Sequence, residues 1–139
     1  MSNKFFDEIV SDFELLEDWE ERYRYIIELG KKLPPMQSIN KVPENKVEGC
    51  ASQVWLKQQI IKTGGQKLIQ LSGDSDAMIV KGLIAILVGL LNGEELEKAK
   101  KISPLEEFNK LGLHEHLSSQ RANGLRSMVD NIQKFIIKS

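Results

Sequence analysis

The sequence predicts an α+β fold in which several helices pack on a small three-stranded antiparallel sheet. Three observations carry this expectation. The N-terminal third holds two segments with helical apolar spacing, the middle holds an alternating apolar run broken at Gly64-Gly65, and residues 77–91 are apolar on nearly every side. At 139 residues the chain is long enough to bury a core without disulfides or a structural metal, and one domain spanning 1–139 is expected.

Phe5, Phe6, Ile9, Val10, Phe13 and Leu16 recur every three or four residues and define the first amphipathic helix. Asp18 with Glu21 resembles a capping box, and Trp19, Tyr23, Ile26, Ile27, Gly30 and Leu33 continue at helical spacing until Pro34-Pro35 stops them. Residues 36–45 read as a polar loop containing Pro43. Val47, Val54, Leu56 and Ile60 alternate with Trp55 and Ile61, which predicts a strand partly covered on both faces with Trp55 in the core. Thr63-Gly-Gly-Gln66 supplies a hairpin turn, and Leu68–Leu71 returns as the partner strand. Gly73-Asp-Ser-Asp76 has the chemistry to cap the apolar helix, in which Lys81 is a snorkelling or ion-paired charge. Asn92-Gly93 ends that helix. A short charged segment over 94–100 follows, and Ser103-Pro-Leu-Glu106 reads as another capping box. Leu125, Met128, Val129, Ile132, Phe135 and Ile136 form the stripe of the last helix.

Nineteen basic against twenty acidic residues give a net charge of -1, so no global field points to nucleic acid or an anionic membrane. The apolar stretch is shorter than the roughly 20 residues a bilayer span requires, and it contains Lys81. Acidic residues within the first eight positions argue against a secretory signal. A cytoplasmic, reducing location is therefore expected, with no membrane and no nucleic acid among the partners. One cysteine and two histidines offer no zinc or iron–sulfur ligand set within a single chain.

The single cysteine, Cys50, follows Gly49 and precedes the predicted strand. A core cysteine belongs inside an apolar run, whereas glycine lets the backbone bend and present a loop-tip thiol. Arg121 is also out of place, since it opens the last helix where a cation meets the positive end of the helix dipole, and Gly124 weakens the following turn. The plain reading of Arg121 is a pair with a surface carboxylate. Departures from local rules are also where function is sought.

Val47-Glu-Gly-Cys-Ala-Ser-Gln-Val-Trp55 resembles the signature loop of the SufE family, cysteine desulfuration proteins that serve iron–sulfur cluster assembly. Glu28-Leu-Gly-Lys-Lys-Leu-Pro34, Gly73-Asp-Ser-Asp-Ala-Met-Ile-Val-Lys-Gly-Leu83, Leu111–Ser118, Arg121 and Asn123–Leu125 resemble the same family in the same order. Ser119 departs from it, since the family usually carries proline there; the change weakens a turn and touches no chemistry. The resemblance implies a fold shared with the IscU-type scaffolds. It further implies that Cys50 accepts persulfide sulfur from a SufS- or CsdA-type cysteine desulfurase, stimulates that enzyme, and passes the sulfur to a scaffold such as the SufBCD complex. The chain would need no cofactor of its own, because pyridoxal phosphate belongs to the desulfurase. Gly49, Ala51 and Ser52 would form the partner-facing loop, tucked over a cavity at rest and swung outward on docking. Arg121 is the candidate stabiliser of the thiolate. Asp74 and Asp76 are candidates for pairing with Arg121 or closing the loop, with helix capping as their alternative, and His116 is a candidate that more ordinarily serves as a structural hydrogen-bonder.

Other classes are open to test. A cluster scaffold needs more thiolates than one chain supplies. A cysteine hydrolase needs a base on the thiol, for which only His114 or His116 is present. The remaining alternative is a desulfurase-docking module whose cysteine is inert.

Overall fold

Gly64 and Gly65 take φ angles of 55° and 78°, values that favour glycine, and they close a hairpin in the computed structural model of the chain, which describes residues 3–139. The hairpin joins β1 (Val54–Thr63) to β2 (Gln66–Ser75), in antiparallel register from Thr63 opposite Gln66 to Val54 opposite Ser75. Val54, Leu56, Ile69, Leu71 and Gly73 are buried on one face. Trp55, Lys57, Gln59, Gln70 and Ser72 project from the other, the alternation of a sheet with one solvated side.

The sheet has two strands, not three. The expected third strand shrinks to one bridge between Lys46 and Trp55, with the Val47 N–H donating to the Val54 carbonyl at 2.9 Å. Two 3₁₀ turns, Ser38–Asn40 and Pro43–Asn45, occupy the preceding segment, and proline has no N–H for a ladder. The opposite edge, on β2, is covered by the segment after the apolar helix. Gly93 N–H donates to the Ile69 carbonyl at 2.7 Å, Ile69 N–H to the Glu94 carbonyl at 2.9 Å, and Leu71 N–H to Asn92 Oδ1 at 2.8 Å. Asn92-Gly93 thus ends a helix and also shields a strand edge.

Helix α1 (Lys4–Leu15) starts at Asn3, whose Oδ1 accepts the Phe6 N–H at 3.0 Å, and buries Phe6, Ile9 and Phe13. Helix α2 (Trp19–Lys32) starts at Asp18, which accepts the Glu21 N–H at 2.8 Å, as the capping box predicts. Arg22 of α2 turns back to donate to the carbonyls of Phe13 and Leu16, tying α2 to the end of α1. Helix α3 (Met78–Leu91) is the apolar helix and forms the centre of the core; Leu83, Ile84, Ile86, Leu87 and Leu91 are wholly buried. Each such side chain contributes about 1.5–3 kcal/mol of transfer free energy, an upper estimate for folding. Short helices α4 (Leu96–Ala99), α5 (Pro104–Lys110) and α6 (Leu113–His116) lead to α7 (Ser119–Lys138), which buries Leu125, Met128, Val129, Ile132 and Ile136.

Helices α2 and α3 cross at two glycines. A Cβ on Gly82 would lie 2.2 Å from the Ile26 carbonyl oxygen, and one on Gly30 would lie 2.7 Å from the Gly82 nitrogen. The backbones touch there, so Gly30 serves close approach rather than merely filling an apolar stripe.

Three local expectations are corrected. Asp74 and Asp76 do not cap α3: β2 runs on through Ser75, and the N-cap is Ala77, without a side-chain cap bond. Ser103 precedes α5 without making a cap hydrogen bond. Trp55 lies outside the core, on the opposite face of the sheet, with Lys41 Nζ 5.0 Å above its ring. Among the described residues no helix is long and apolar enough to cross a membrane.

Candidate functional site

Residues 48–52 are strung between two hydrogen-bonded pins. Upstream is the Val47–Val54 bond. Downstream, the Gln53 N–H donates to Asp76 Oδ1 at 3.0 Å, and the Asp76 N–H returns to the Gln53 carbonyl at 3.3 Å. Gly49 bends the chain between them with a φ of 88°.

The bend lays Cys50 on α7. Its half-buried thiol donates to the Gly124 carbonyl, with Sγ 3.6 Å from the oxygen. The Cβ position of Gly124 lies 3.6 Å from Sγ, so Cys50 packs in van der Waals contact over this glycine. Burial pushes the thiol pKa up, and the nearby negative charge of Glu48 adds to the shift; the closed loop therefore holds the thiol protonated.

A cavity of about 330 Å³ opens beside Cys50. Val80, Leu83, Leu125 and Met128 make an apolar floor, while Ala51, Ser52, Ser118, Gln120 and Arg121 surround it with polar or small groups. Arg121 stands in the first turn of α7, where Ser118 Oγ accepts its N–H at 3.2 Å and caps the helix. Among the described residues Arg121 makes no ion pair, so the surface-carboxylate reading is not what the structure contains. Arg121 lines the cavity.

Asp74 is 4% exposed and does not meet Arg121. Its carboxylate accepts the N–H groups of Met36 and Ser75 at 3.0 and 2.8 Å, with Lys41 and Lys81 at 3.4 and 3.5 Å. Burial alone would raise its pKa, but the two N–H donors and then the two ammonium groups outweigh it and hold the carboxyl below its ordinary value. Asp74 fastens the segment that follows α2, and Lys81 is the ion-paired charge rather than a snorkelling one. Asp76 closes the Cys50 loop from its C-terminal side. His116 stacks on Trp19 with ring centroids 3.8 Å apart and does not line the cavity. The side chain of His114 lies outside the described residues. Among the described residues no cluster of histidine, cysteine or acidic side chains could hold a metal ion.

Of the residues singled out from the sequence, the fold gathers Cys50, Ala51, Ser52 and Arg121 at one cavity, while Gly49 supplies the bend and is not among the lining residues. Sequence reasoning missed the floor residues, because an apolar side chain that lines a cavity has the same spacing as one that fills a core. The glycine in the last helix was the available signal.

The family model for SufE, described as an Fe-S metabolism associated domain, matches residues 7–136. The chain belongs to the SufE family. It is 50% identical over 127 residues to an uncharacterized SufE-like protein of Rhizobium meliloti (strain 1021), covering 91% of each chain. It is 49% identical over 128 residues to an uncharacterized SufE-like protein of Rhizobium etli, covering 92% of this chain and 86% of the relative. The fold is similar to the solution structure of a hypothetical protein from Thermus thermophilus, with a TM-score of 0.74 and 22% identity over 99% of this chain and 97% of that one. This SufE-type chain is therefore an α+β protein tied to iron–sulfur metabolism, a setting in which a loop-borne thiol beside a cavity has a chemical use.

Proposed function

We propose that this SufE-family chain is a sulfur acceptor and carrier, with Cys50 as the accepting group. The observation that carries the reading is the thiol itself, set on a pinned glycine loop and seated at a cavity with an apolar floor and Arg121 in its lining. In the reaction, the Cys50 thiolate attacks the outer sulfur of a persulfide on a cysteine desulfurase. A new S–S bond forms, the partner's S–S bond breaks, and the partner's cysteine thiolate leaves; no electrons are gained or lost overall. A thiolate of an assembly scaffold then takes the outer sulfur by the same exchange. Neither step requires a cofactor on this chain, since pyridoxal phosphate serves the partner's release of sulfur from cysteine.

The resting geometry disfavours attack, because the thiol is protonated and faces α7. Docking must lift residues 49–51 away from Gly124, which removes the burial that raises the pKa and brings the thiolate within reach of Arg121. Returned to the cavity, the outer sulfur would lie against Val80, Leu83, Leu125 and Met128, away from soluble thiols and oxidants. Draining the partner's persulfide in this way would also stimulate the desulfurase.

The test is intact-protein mass spectrometry after incubation with a cognate desulfurase and free cysteine, without reductant. Wild type should gain one or more sulfur atoms, removable by dithiothreitol, and Cys50→Ser should gain none while still binding the desulfurase. Arg121→Ala should bind but load slowly. A bound, active desulfurase that leaves wild type unloaded would reduce the chain to a docking module with an incidental thiol.

A further inference from the structure

Cys50 does not set its own position, since one weak thiol hydrogen bond is its only polar tie to α7. The residue before it is more tightly constrained. The Cβ position of Gly49 lies 2.6 Å from Ser127 Oγ and 3.4 Å from Ser127 Cβ, and among the described residues beyond its chain neighbours no other heavy atom lies within 4 Å of it. Gly124 and Ser127 are three apart on α7 and share a face, so Gly49 rests on Ser127 while Cys50 rests on Gly124. A real Cβ cannot sit at 2.6 Å. The closed loop therefore has no room for a Cβ at 49 unless the Ser127 hydroxyl turns away, and the φ of 88° itself favours glycine there.

We infer that Ser127 is a positioning residue for Cys50: its hydroxymethyl group is the stop on which Gly49 lands, and it fixes the depth at which the thiol is seated against Gly124. The inference rests on the sulfur-acceptor reading for its purpose, while its geometry stands apart from it. A longer side chain at 127 displaces the loop before it displaces the helix. The reason is that α7 is anchored by five buried apolar side chains, including Met128 and Val129 beside Ser127, whereas residues 48–52 are held only at their pins and by the thiol.

The experiment is the rate of Cys50 alkylation by iodoacetamide in native buffer, followed by intact mass, on variants with wild-type circular dichroism. Ser127→Leu should react at least about tenfold faster, corresponding to about 1.4 kcal/mol against the closed loop. Ser127→Ala, which removes the hydroxyl stop, should let the loop settle deeper and react more slowly than wild type. Gly49→Ala should also accelerate the reaction, and adding Ser127→Gly should recover part of the loss by removing the collision, though not the backbone strain of alanine at positive φ. This rescue separates a positioning role from general destabilisation and decides the matter even if Ser127→Leu fails to fold. Wild-type reactivity in a folded Ser127→Leu, or a double variant no slower than Gly49→Ala alone, overturns the inference. Failure of wild type to load sulfur would overturn the acceptor reading alone, because alkylation does not depend on it.

Discussion

Cys50 is protected by protonation as much as by burial. Desolvation raises its pKa first and Glu48 second, so the free protein presents little thiolate at neutral pH. The alkylation rate of the undocked chain should accordingly climb with an apparent pKa above that of a free thiol such as glutathione, measured in parallel. Glu48→Gln should move that profile down by the smaller part of the shift, leaving the larger part caused by burial. A wild-type profile matching glutathione would mean that the loop stands open in solution. At this scale the sequence made Cys50 legible through its glycine neighbour and its distance from any apolar run. It offered loop closure and helix capping for Asp74 and Asp76 without deciding between them, because a Gly-Asp-Ser-Asp string has the same composition whether it caps a helix or ends a strand. Only the pairing of Trp55 with Asp74 and of Val54 with Ser75 shows that the strand continues through it.

Helices and strands set the site through contacts that no single segment encodes. Helix α3 supplies Val80 and Leu83 to the cavity floor, and its position is fixed against α2 by the glycine crossing. Gly82→Ala places a methyl carbon 2.2 Å from the Ile26 carbonyl, where backbone rather than a mobile side chain must yield. The expected loss is about 3 kcal/mol or more, read as a lower urea midpoint with an unchanged slope. A midpoint within experimental error of wild type would show that the two helices separate without cost. The periodicity of α2, α3 and α7 identified these helices correctly, because amphipathic stripes and apolar runs follow directly from side-chain spacing. The third strand failed the same reasoning. Residues 36–45 hold enough polar and proline positions to be read as a loop, yet the number of strands depends on how many ladder bonds form at its end, and here that is a single bridge. The glycine crossing was beyond reach as well, since spacing along one helix says nothing about which glycine of another it meets.

For the molecule as a whole, the question is whether Cys50 can emerge without loosening anything else. The core is one continuous cluster that takes side chains from α1, α2, both strands, α3 and α7, and it ends beneath the loop at Val80, Leu83, Leu125 and Met128. The loop contributes only the partly buried Cys50 to that cluster beyond its flanking Val47 and Val54. Lifting residues 48–52 breaks one thiol hydrogen bond and uncovers the loop's footprint on the cavity floor, far less surface than global unfolding exposes, while both pins and the core persist. Denaturant sensitivity scales with the surface exposed, so a local opening of this kind has a slope near zero. The alkylation rate of Cys50 should consequently stay flat as urea is added below the unfolding transition and rise only when global unfolding takes over. The global transition itself, followed by circular dichroism, should show the urea slope of about 1–3 kcal/mol/M typical of a small protein. Were the logarithm of the alkylation rate to rise from the first addition of urea with that full slope, Cys50 would be reachable only from the unfolded chain. Docking on the partner would then have to supply all of the opening that the free chain lacks.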